Sequence, residues 1–134
     1  KFDAKPEKFL KFGGVHGKTQ KPWEIDIGYE RFLGPEVFFN PEIFSPDFST
    51  PLPEVVDSAI LSSPIDYRKQ LYSNIVLSGG STMFKNFHRR LQRDIKHRAQ
   101  SRLEANRVAM GAAPGTAPDL DVTVVKHKMQ RYAV

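Results

Sequence analysis

The chain has no cysteine among its 134 residues, which excludes a disulfide framework and any metal site built from thiolates. No apolar run approaches the roughly 20 residues that a membrane-spanning helix needs. The first residues also lack the apolar core of a secretory signal. These absences predict a soluble protein in a reducing, intracellular compartment, without membrane contact.

Motifs for self-sufficient catalysis are missing as well. The four histidines are scattered, with no HExxH pattern, and the serines lack a GxSxG turn or a nearby histidine. Neither GxGxxG nor the Walker A pattern occurs, so there is no recognisable phosphate cradle. We therefore predict no catalytic residue, no metal site and no enzymatic activity for this chain by itself.

Charged residues are numerous, and the excess of positive charge lies in one segment of the chain. The net charge is +5, yet residues 85–107 carry eight basic residues against two acidic ones, while the rest of the chain has 12 basic and 13 acidic residues. The excess therefore belongs to one predicted helix, which is a local surface property. A basic helix can follow nucleic-acid phosphates, or it can present a solvated or protein-contacting face. With no base-stacking aromatics among its arginines, the second interpretation is favoured, and nucleic-acid binding through Lys85–Arg107 is the alternative.

The N-terminal part of the sequence predicts short elements separated by turns. Lys5–Phe12 has a helical pattern that begins near a proline and ends at two glycines. Apolar and acidic residues alternate in Trp23–Ile27, which predicts a strand with one polar face. Pro35–Phe39 predicts one helical turn, and the four prolines of residues 41–53 predict a surface loop.

The next region predicts two helices and a strand. A helical pattern begins at Pro53 and is interrupted at Ser63 and Pro64. Asp66 is a candidate cap for a second helix over Tyr67–Tyr72, whose Leu71 should face the core. Asn74–Leu77 then predicts a buried strand.

A long amphipathic helix is predicted directly after Gly79 and Gly80, with Ser81 or Thr82 as its cap. Its core-facing stripe is expected to comprise Phe84, Phe87, Leu91 and Ile95. The helix should fade within Arg98–Arg107. A flexible loop at Met110–Pro118 and a strand at Val122–Val125 follow, which completes a right-handed parallel crossover.

Two adjacent glycines between a strand and a helix allow positive φ and close approach of a ligand to the backbone. Ligands in α/β proteins bind beyond the carboxyl ends of strands, where this turn is expected. By itself, however, so short a motif is more typical of a tight turn without a ligand.

Four blocks of sequence together are similar to the actin superfamily. They are GYERFLGPEVFF at 28–39, PIDYRKQLYSNIVLSGGSTMF at 64–84, RRLQRDI at 89–95 and MQRYAV at 129–134. The blocks occur in the same order in actins, and the resemblance covers nearly the whole chain from about Lys5 onward. PLPEVVDSAI and HRRLQRDIKHR resemble an actin-related subunit of the complex that nucleates branched actin filaments more than conventional actin.

The resemblance implies an α/β fold class, as a fragment of the actin-like ATPase (ribonuclease H-like) fold. A strand, the Gly-Gly turn, a helix and a second strand would form its crossover unit, with further helices and a small N-terminal hairpin region. Residues 1–28 would be the tail of a small subdomain, with a helix and a strand. Residues 29–134 would be most of the subdomain that carries the adenosine motif, truncated at its C-terminal end.

The resemblance also implies a nucleotide site. In this family the Gly-Gly turn borders the adenine and ribose of bound ATP, so Gly79, Gly80, Met83 and Phe84 would line the base pocket and Arg131 would lie against the adenosine. Conventional actin has tyrosine in place of Phe84 and lysine in place of Arg131, so the hydrogen bonding of the pocket should differ. The family's phosphate loops and Mg²⁺-organising aspartates lie in preceding parts of the fold. We therefore expect weak or no ATP binding, and no hydrolysis, from this chain alone.

The implied role is that of a structural subunit in branched-filament nucleation, which supplies the adenosine side of a nucleotide cleft and a barbed-end-side surface. The implied partners are actin-related protein 2, the other subunits of the branching complex, and actin. The implied location is the cytoplasmic actin cytoskeleton. The chain alone is expected to expose apolar surface, including Trp23, Phe38, Phe39 and the strand end at Val134.

Overall fold

A computed structural model describes residues 10–126 of the chain. The helices are α1 (Glu30–Glu36), α2 (Leu52–Leu61), α3 (Ile65–Tyr72) and α4 (Phe87–Ala109). The strands are β1 (Leu10–Val15), β2 (Pro22–Ile27), β3 (Ile75–Leu77) and β4 (Val124–Lys126). Short 3₁₀ turns occur at Pro41–Ile43 and Gly80–Met83.

The N-terminal region is an antiparallel hairpin of β1 and β2. The predicted strand at Trp23–Ile27 is confirmed, but the predicted helix over Lys5–Phe12 is wrong where the structure describes it, because Leu10 to Phe12 belong to β1. The two glycines after Phe12 do not end a helix. They continue β1, and the ring of Trp23 lies so close to Gly14 that an added Cβ would be 2.8 Å from its Cζ2 atom.

α1 begins earlier than the predicted turn at Pro35–Phe39, and its last turn continues to Phe39, whose amide donates to the carbonyl of Glu36 at 2.9 Å. The proline-rich stretch that follows contains one 3₁₀ turn and is otherwise irregular up to Leu52, in agreement with a loop. Proline fixes φ and removes an amide donor, so this spacing interrupts both helix and sheet.

α2 and α3 confirm the two helices predicted between Pro53 and Tyr72, but the predicted cap is wrong. Pro64 occupies the N-cap position of α3, and no side chain caps that helix. The buried residue of α3 is Tyr72, whereas Leu71 is 38% exposed. The core-facing side of α3 is therefore one residue away from the predicted one.

β3 and β4 pair in parallel, with Ile75 opposite Val124 and Leu77 opposite Lys126. A parallel pair on either side of α4 confirms the strand, helix and strand order of the crossover. β3 is not buried along its whole length, because Val76 is 64% exposed while Leu77 is buried. α4 continues to Ala109, beyond the region where the sequence predicted it to fade.

The core of the described residues forms where α4 packs against α2, β4 and the end of α1. Its buried apolar residues are Phe39, Ile60, Tyr72, Leu77, Phe87, Leu91, Ile95, Ala99, Val122 and Val124. Phe39 was expected on an exposed face, but it is buried because its ring contacts Phe87 with 5.4 Å between the ring centroids. None of the helices within residues 10–126 has the length and apolar character to cross a membrane.

Candidate functional site

The predicted site lies on the turn that joins β3 to α4. Gly79 follows β3 with φ 95° and ψ 151°, a conformation that is essentially restricted to glycine. The chain then forms the 3₁₀ turn Gly80–Met83 and enters α4 only at Phe87. The glycine at position 79 is therefore required by the backbone, while no such requirement applies at Gly80.

Thr82 closes this turn. Its amide and its hydroxyl both donate to the carbonyl of Gly79, at 3.1 and 2.7 Å. The prediction that Ser81 or Thr82 caps the long helix is thus wrong, because the N-cap of α4 is Asn86, in the left-handed region with φ 62°. Between the strand and the helix the sequence builds a separate turn, with Thr82 holding its two ends together.

The outer surface of the turn is open and apolar. A Cβ atom added to Gly79 or Gly80 would meet no heavy atom within 4 Å. Met83 and Phe84 are 47% and 42% exposed, so Phe84 does not belong to the core stripe, which begins at Phe87. These four residues lie on one turn and leave room for a flat group beside the backbone. Arg131, the fifth predicted residue, lies outside the described residues.

α4 is anchored to α1 just beyond this turn. Arg90 donates hydrogen bonds through both terminal nitrogens to the carboxylate of Glu36, one of them 2.7 Å long. Its guanidinium also lies 4.2 Å from the centre of the Phe39 ring. Hydrogen bonds from Arg90 hold the pKa of the Glu36 carboxyl below its usual value, against the opposing effect of burial.

α4 is also tied to β4. The side-chain oxygen of Gln92 accepts a hydrogen bond from the amide of Val124 at 3.1 Å, at the first residue of β4 that pairs with β3. Because the turn is fixed at both ends by these contacts and by the β3 ladder, its position relative to the sheet is set by the fold.

Sequence reasoning missed a buried polar cluster of Asp57, Tyr72 and Arg102. The tyrosine hydroxyl donates to one oxygen of Asp57, Arg102 donates to the other, and Arg102 also donates to the tyrosine oxygen at 2.9 Å. Asp57 is 3% exposed and Tyr72 is 4% exposed. Burial raises the pKa of the Tyr72 hydroxyl, with its hydrogen bond to Asp57 adding to the effect.

The basic face of α4 is largely occupied by acidic partners from the same chain. Arg98 pairs with Glu54 at 2.7 Å and Lys96 pairs with Asp119 at 2.8 Å, in addition to the two pairs described above. The available sequence signal was complementary charge at helical spacing, with acidic residues three apart on α2 and arginines four apart on α4. These pairs give no support to the nucleic-acid alternative, because several of its presumed phosphate contacts are already engaged.

The described residues contain no group of three acidic or histidine side chains that could hold a metal ion. The turn itself presents the exposed side chains of Met83 and Phe84 beside an open glycine backbone. These two side chains offer noncovalent contact to an apolar group.

Comparison with known proteins agrees with these features. A sequence model of the actin family matches residues 20–118. Actin-related protein 3 of Oryza sativa subsp. indica is 55% identical over 135 residues, covering all of this chain and 31% of that protein. Actin-related protein 3 of Drosophila melanogaster is 53% identical over 137 residues, and that of Dictyostelium discoideum is 54% identical over 135 residues, each covering all of this chain and 32% of the relative.

The chain thus spans about a third of the length of the curated relatives that it matches. The matched region covers the whole chain, including the Gly-Gly turn, and the mixed helices and strands confirm the predicted part of the α/β actin-like ATPase fold. The similarity to the actin-related branch of the superfamily is confirmed as well. Because the actin-family model matches residues 20–118, which is most of the chain, the chain belongs to the actin family.

Proposed function

We propose that this chain supplies the adenosine side of the nucleotide cleft in an ATP-binding actin-related protein that nucleates branched actin filaments. The observation that carries the proposal is identity of more than half over the whole chain to proteins named actin-related protein 3. The open turn at Gly79 and Gly80 lies within the matched region.

The geometry supports a role in base binding for this chain's own residues. The backbone at Gly79 and Gly80 leaves space for a planar group, and Met83 and Phe84 offer exposed apolar surface beside it. Such surface favours contact with an aromatic base. We propose Arg131 as a further contact to the adenosine, where a guanidinium can stack on the base.

Phosphate and metal contacts are proposed to come from other parts of a longer protein. Charge-assisted hydrogen bonds and Mg²⁺ coordination contribute much of the affinity for a triphosphate. We therefore propose that the 134 residues alone bind ATP weakly or not at all and do not hydrolyse it. We also propose the division predicted above, with residues 1–28 in a small subdomain and 29–134 in the subdomain of the adenosine motif. The separate sheet formed by β1 and β2 supports that division.

The partners we propose are actin-related protein 2, the other subunits of a branching complex, and actin, in the cytoplasmic actin cytoskeleton. The support is the similarity to actin-related protein 3. In this role the chain is part of a structural subunit of the branching complex.

The test is photolabelling of the full-length protein that carries this chain with 8-azido-ATP, whose reactive group is on the base. We expect the label on the tryptic peptide of residues 70–85, which contains the turn, and we expect unmodified ATP to compete for it. Labelling that excess ATP does not reduce, or labelling confined to other peptides, would overturn the proposal.

A variant and its matched control test whether Phe84 contacts the base. Phe84→Asp places a charge against the base and removes apolar contact, so we expect the affinity for ATP to fall by about tenfold. Phe48→Asp alters another exposed phenylalanine, in the loop before α2, and should leave the affinity unchanged. Equal affinities in the two variants would contradict a base pocket at the turn.

A further inference from the structure

A second cavity lies on the far part of α4, away from the Gly-Gly turn. It has a volume of about 560 Å³, is open to solvent on one side, and is lined by the end of α2, by α3, by the C-terminal half of α4 and by the segment before β4. None of its lining residues belongs to the turn at 79–84. Small-molecule sites in proteins commonly have volumes of about 300 to 1,000 Å³. The cavity is therefore large enough for a ligand of its own.

Most of the wall is aliphatic. Leu61 and Ile65 contribute from α2 and α3, Leu103 contributes from α4, and Pro118 and Leu120 contribute from the segment before β4. Ile65 is 74% exposed, so this part of the wall is open to solvent. An aliphatic group entering here would remove its own surface and that of these side chains from water, which favours binding.

The cavity wall also includes two polar side chains whose hydrogen bonds are made within the protein. They are Tyr72 and Arg102, and both are held by Asp57 in the buried cluster described above. Because Asp57 compensates the charge of Arg102, this arginine does not need an anion from outside. A wall fixed by hydrogen bonds keeps its shape without a ligand, which lowers the cost of ordering the site on binding.

The rim carries uncompensated positive charge. Arg68 and Lys69 lie on α3 at the edge, and within residues 10–126 neither forms an ion pair with a carboxylate. Arg68 is held in place through its Nε atom, which donates to the carbonyl of Ser63 at 2.9 Å. The one carboxylate that lines the cavity, Asp119, is paired with Lys96. The field at the mouth therefore favours an anion.

We propose that this cavity binds a small amphiphilic monocarboxylate, with its aliphatic body against Leu61, Leu103 and Leu120 and its carboxylate at Arg68 and Lys69. The apolar wall selects the body of the ligand, and the two rim cations select the charge of its head group. This inference does not depend on the proposed nucleotide site, because the two sites share no residue.

The first experiment is isothermal titration calorimetry of the full-length protein that carries this chain with decanoate. Decanamide, which has the same chain but no charge, and acetate, which has the charge but no chain, are the comparison ligands. We expect one decanoate per chain, decanamide weaker by about threefold or more, and no binding of acetate. Decanamide binding as tightly as decanoate would overturn the anionic part of the proposal, and acetate binding as well as decanoate would overturn the apolar part.

Variants then locate the ligand. Lys69→Gln should weaken decanoate by about two- to fivefold and leave decanamide unchanged, as expected for one exposed charge. Lys18→Gln also removes an exposed charge, from the hairpin turn, and should change the affinity for neither ligand. Leu103→Trp should fill the cavity and abolish binding of both. Decanoate affinity unaltered by Lys69→Gln, or retained by a Leu103→Trp protein with a native circular dichroism spectrum, would overturn the proposal.

Discussion

Gly79 is the residue at which the backbone of the candidate site departs from ordinary geometry. Its φ of 95° with ψ of 151° is a conformation that a side chain disfavours, although there is open space where a Cβ would be placed. The cost of substituting this glycine is therefore one of backbone strain, without a steric clash.

We expect Gly79→Ala to lower the free energy of unfolding by about 1 to 3 kcal/mol, because alanine is strained in this conformation. Gly80→Ala is the matched control. It also faces open space, and its φ lies outside the positive range that side chains disfavour, so it should cost less than about 1 kcal/mol. Urea unfolding followed by circular dichroism measures both, and equal losses would show that φ at Gly79 is not what requires glycine.

The protonation state of Glu36 affects the stability of the fold. Its carboxylate accepts hydrogen bonds from Arg90, which lowers its pKa from the ordinary value of 4.5 in the folded protein. In the unfolded chain the ordinary value returns. The pair therefore stabilises the fold fully at pH values above 4.5, and this stabilisation is lost as the pH falls from there through the folded pKa.

We expect the free energy of unfolding to decline as the pH is lowered below 4.5, and Glu36→Gln to reduce the steepness of that decline. Glu42→Gln, at an exposed carboxylate in the neighbouring 3₁₀ turn, should keep the wild-type dependence. Urea midpoints measured from neutral to acidic pH provide the comparison. A Glu36→Gln protein with the full wild-type decline would show that this pair does not contribute.

At the scale of the element, the hairpin depends on the contact between Gly14 and Trp23. A Cβ on Gly14 would approach ring atoms of Trp23 to 2.8 and 3.0 Å, closer than side chains tolerate. The ring also packs against Phe12, with 5.7 Å between centroids. The strand pairing thus places Gly14 opposite Trp23, and the tryptophan ring occupies the space that a side chain at position 14 would fill.

Trp23 is the only tryptophan of the chain, so its fluorescence reports on this hairpin alone. We expect Gly14→Ala to displace the ring toward water and to shift its emission to longer wavelength. Gly17→Ala, in the hairpin turn where an added Cβ meets nothing within 4 Å, should leave the emission unchanged. An unshifted spectrum in both variants would mean that the ring does not need the space at Gly14.

The hairpin and α4 show why part of the fold could be predicted and part could not. The alternation in β2 and the spacing of Phe87, Leu91 and Ile95 are strong periodic signals, and both elements were found. β1 was missed because a short apolar run before two glycines is equally typical of a helix end. Only the pairing with β2 determines that these residues form a strand.

The first residue of α4 and the ion-pair partners of its arginines could not be predicted from local sequence. Asn86 adopts the left-handed conformation, which separates Phe84 from α4 although the spacing of the apolar residues includes it. Glu36 lies 54 residues from Arg90 and Asp57 lies 45 residues from Arg102, so tertiary contacts decide which carboxylates these arginines pair with. The turn itself was found, because the Gly-Gly pair after a strand is a local signal.

At the scale of the whole molecule, apolar side chains collect on one face of the hairpin. The register places Leu10, Phe12, Ile25 and Ile27 on the same side as Trp23, while Lys11 and Glu24 form an ion pair of 2.7 Å on the other side. Phe12 is 56% exposed and Ile25 is 51% exposed. Contiguous apolar surface of this kind is typical of a face that another surface covers.

We therefore expect the 134-residue chain to associate with itself as its concentration rises, because burying this face removes apolar surface from water. The double variant Phe12→Lys with Ile25→Glu replaces one cross-strand apolar pair by an ion pair, which preserves strand pairing while making the face polar. It should sediment as a monomer at concentrations where the wild-type chain does not. The charge swap Lys11→Glu with Glu24→Lys alters only the polar face, so its association should match that of the wild type. Sedimentation velocity distinguishes these outcomes, and a wild-type chain that stays monomeric at every concentration would show that the hairpin face is stable in water without a cover.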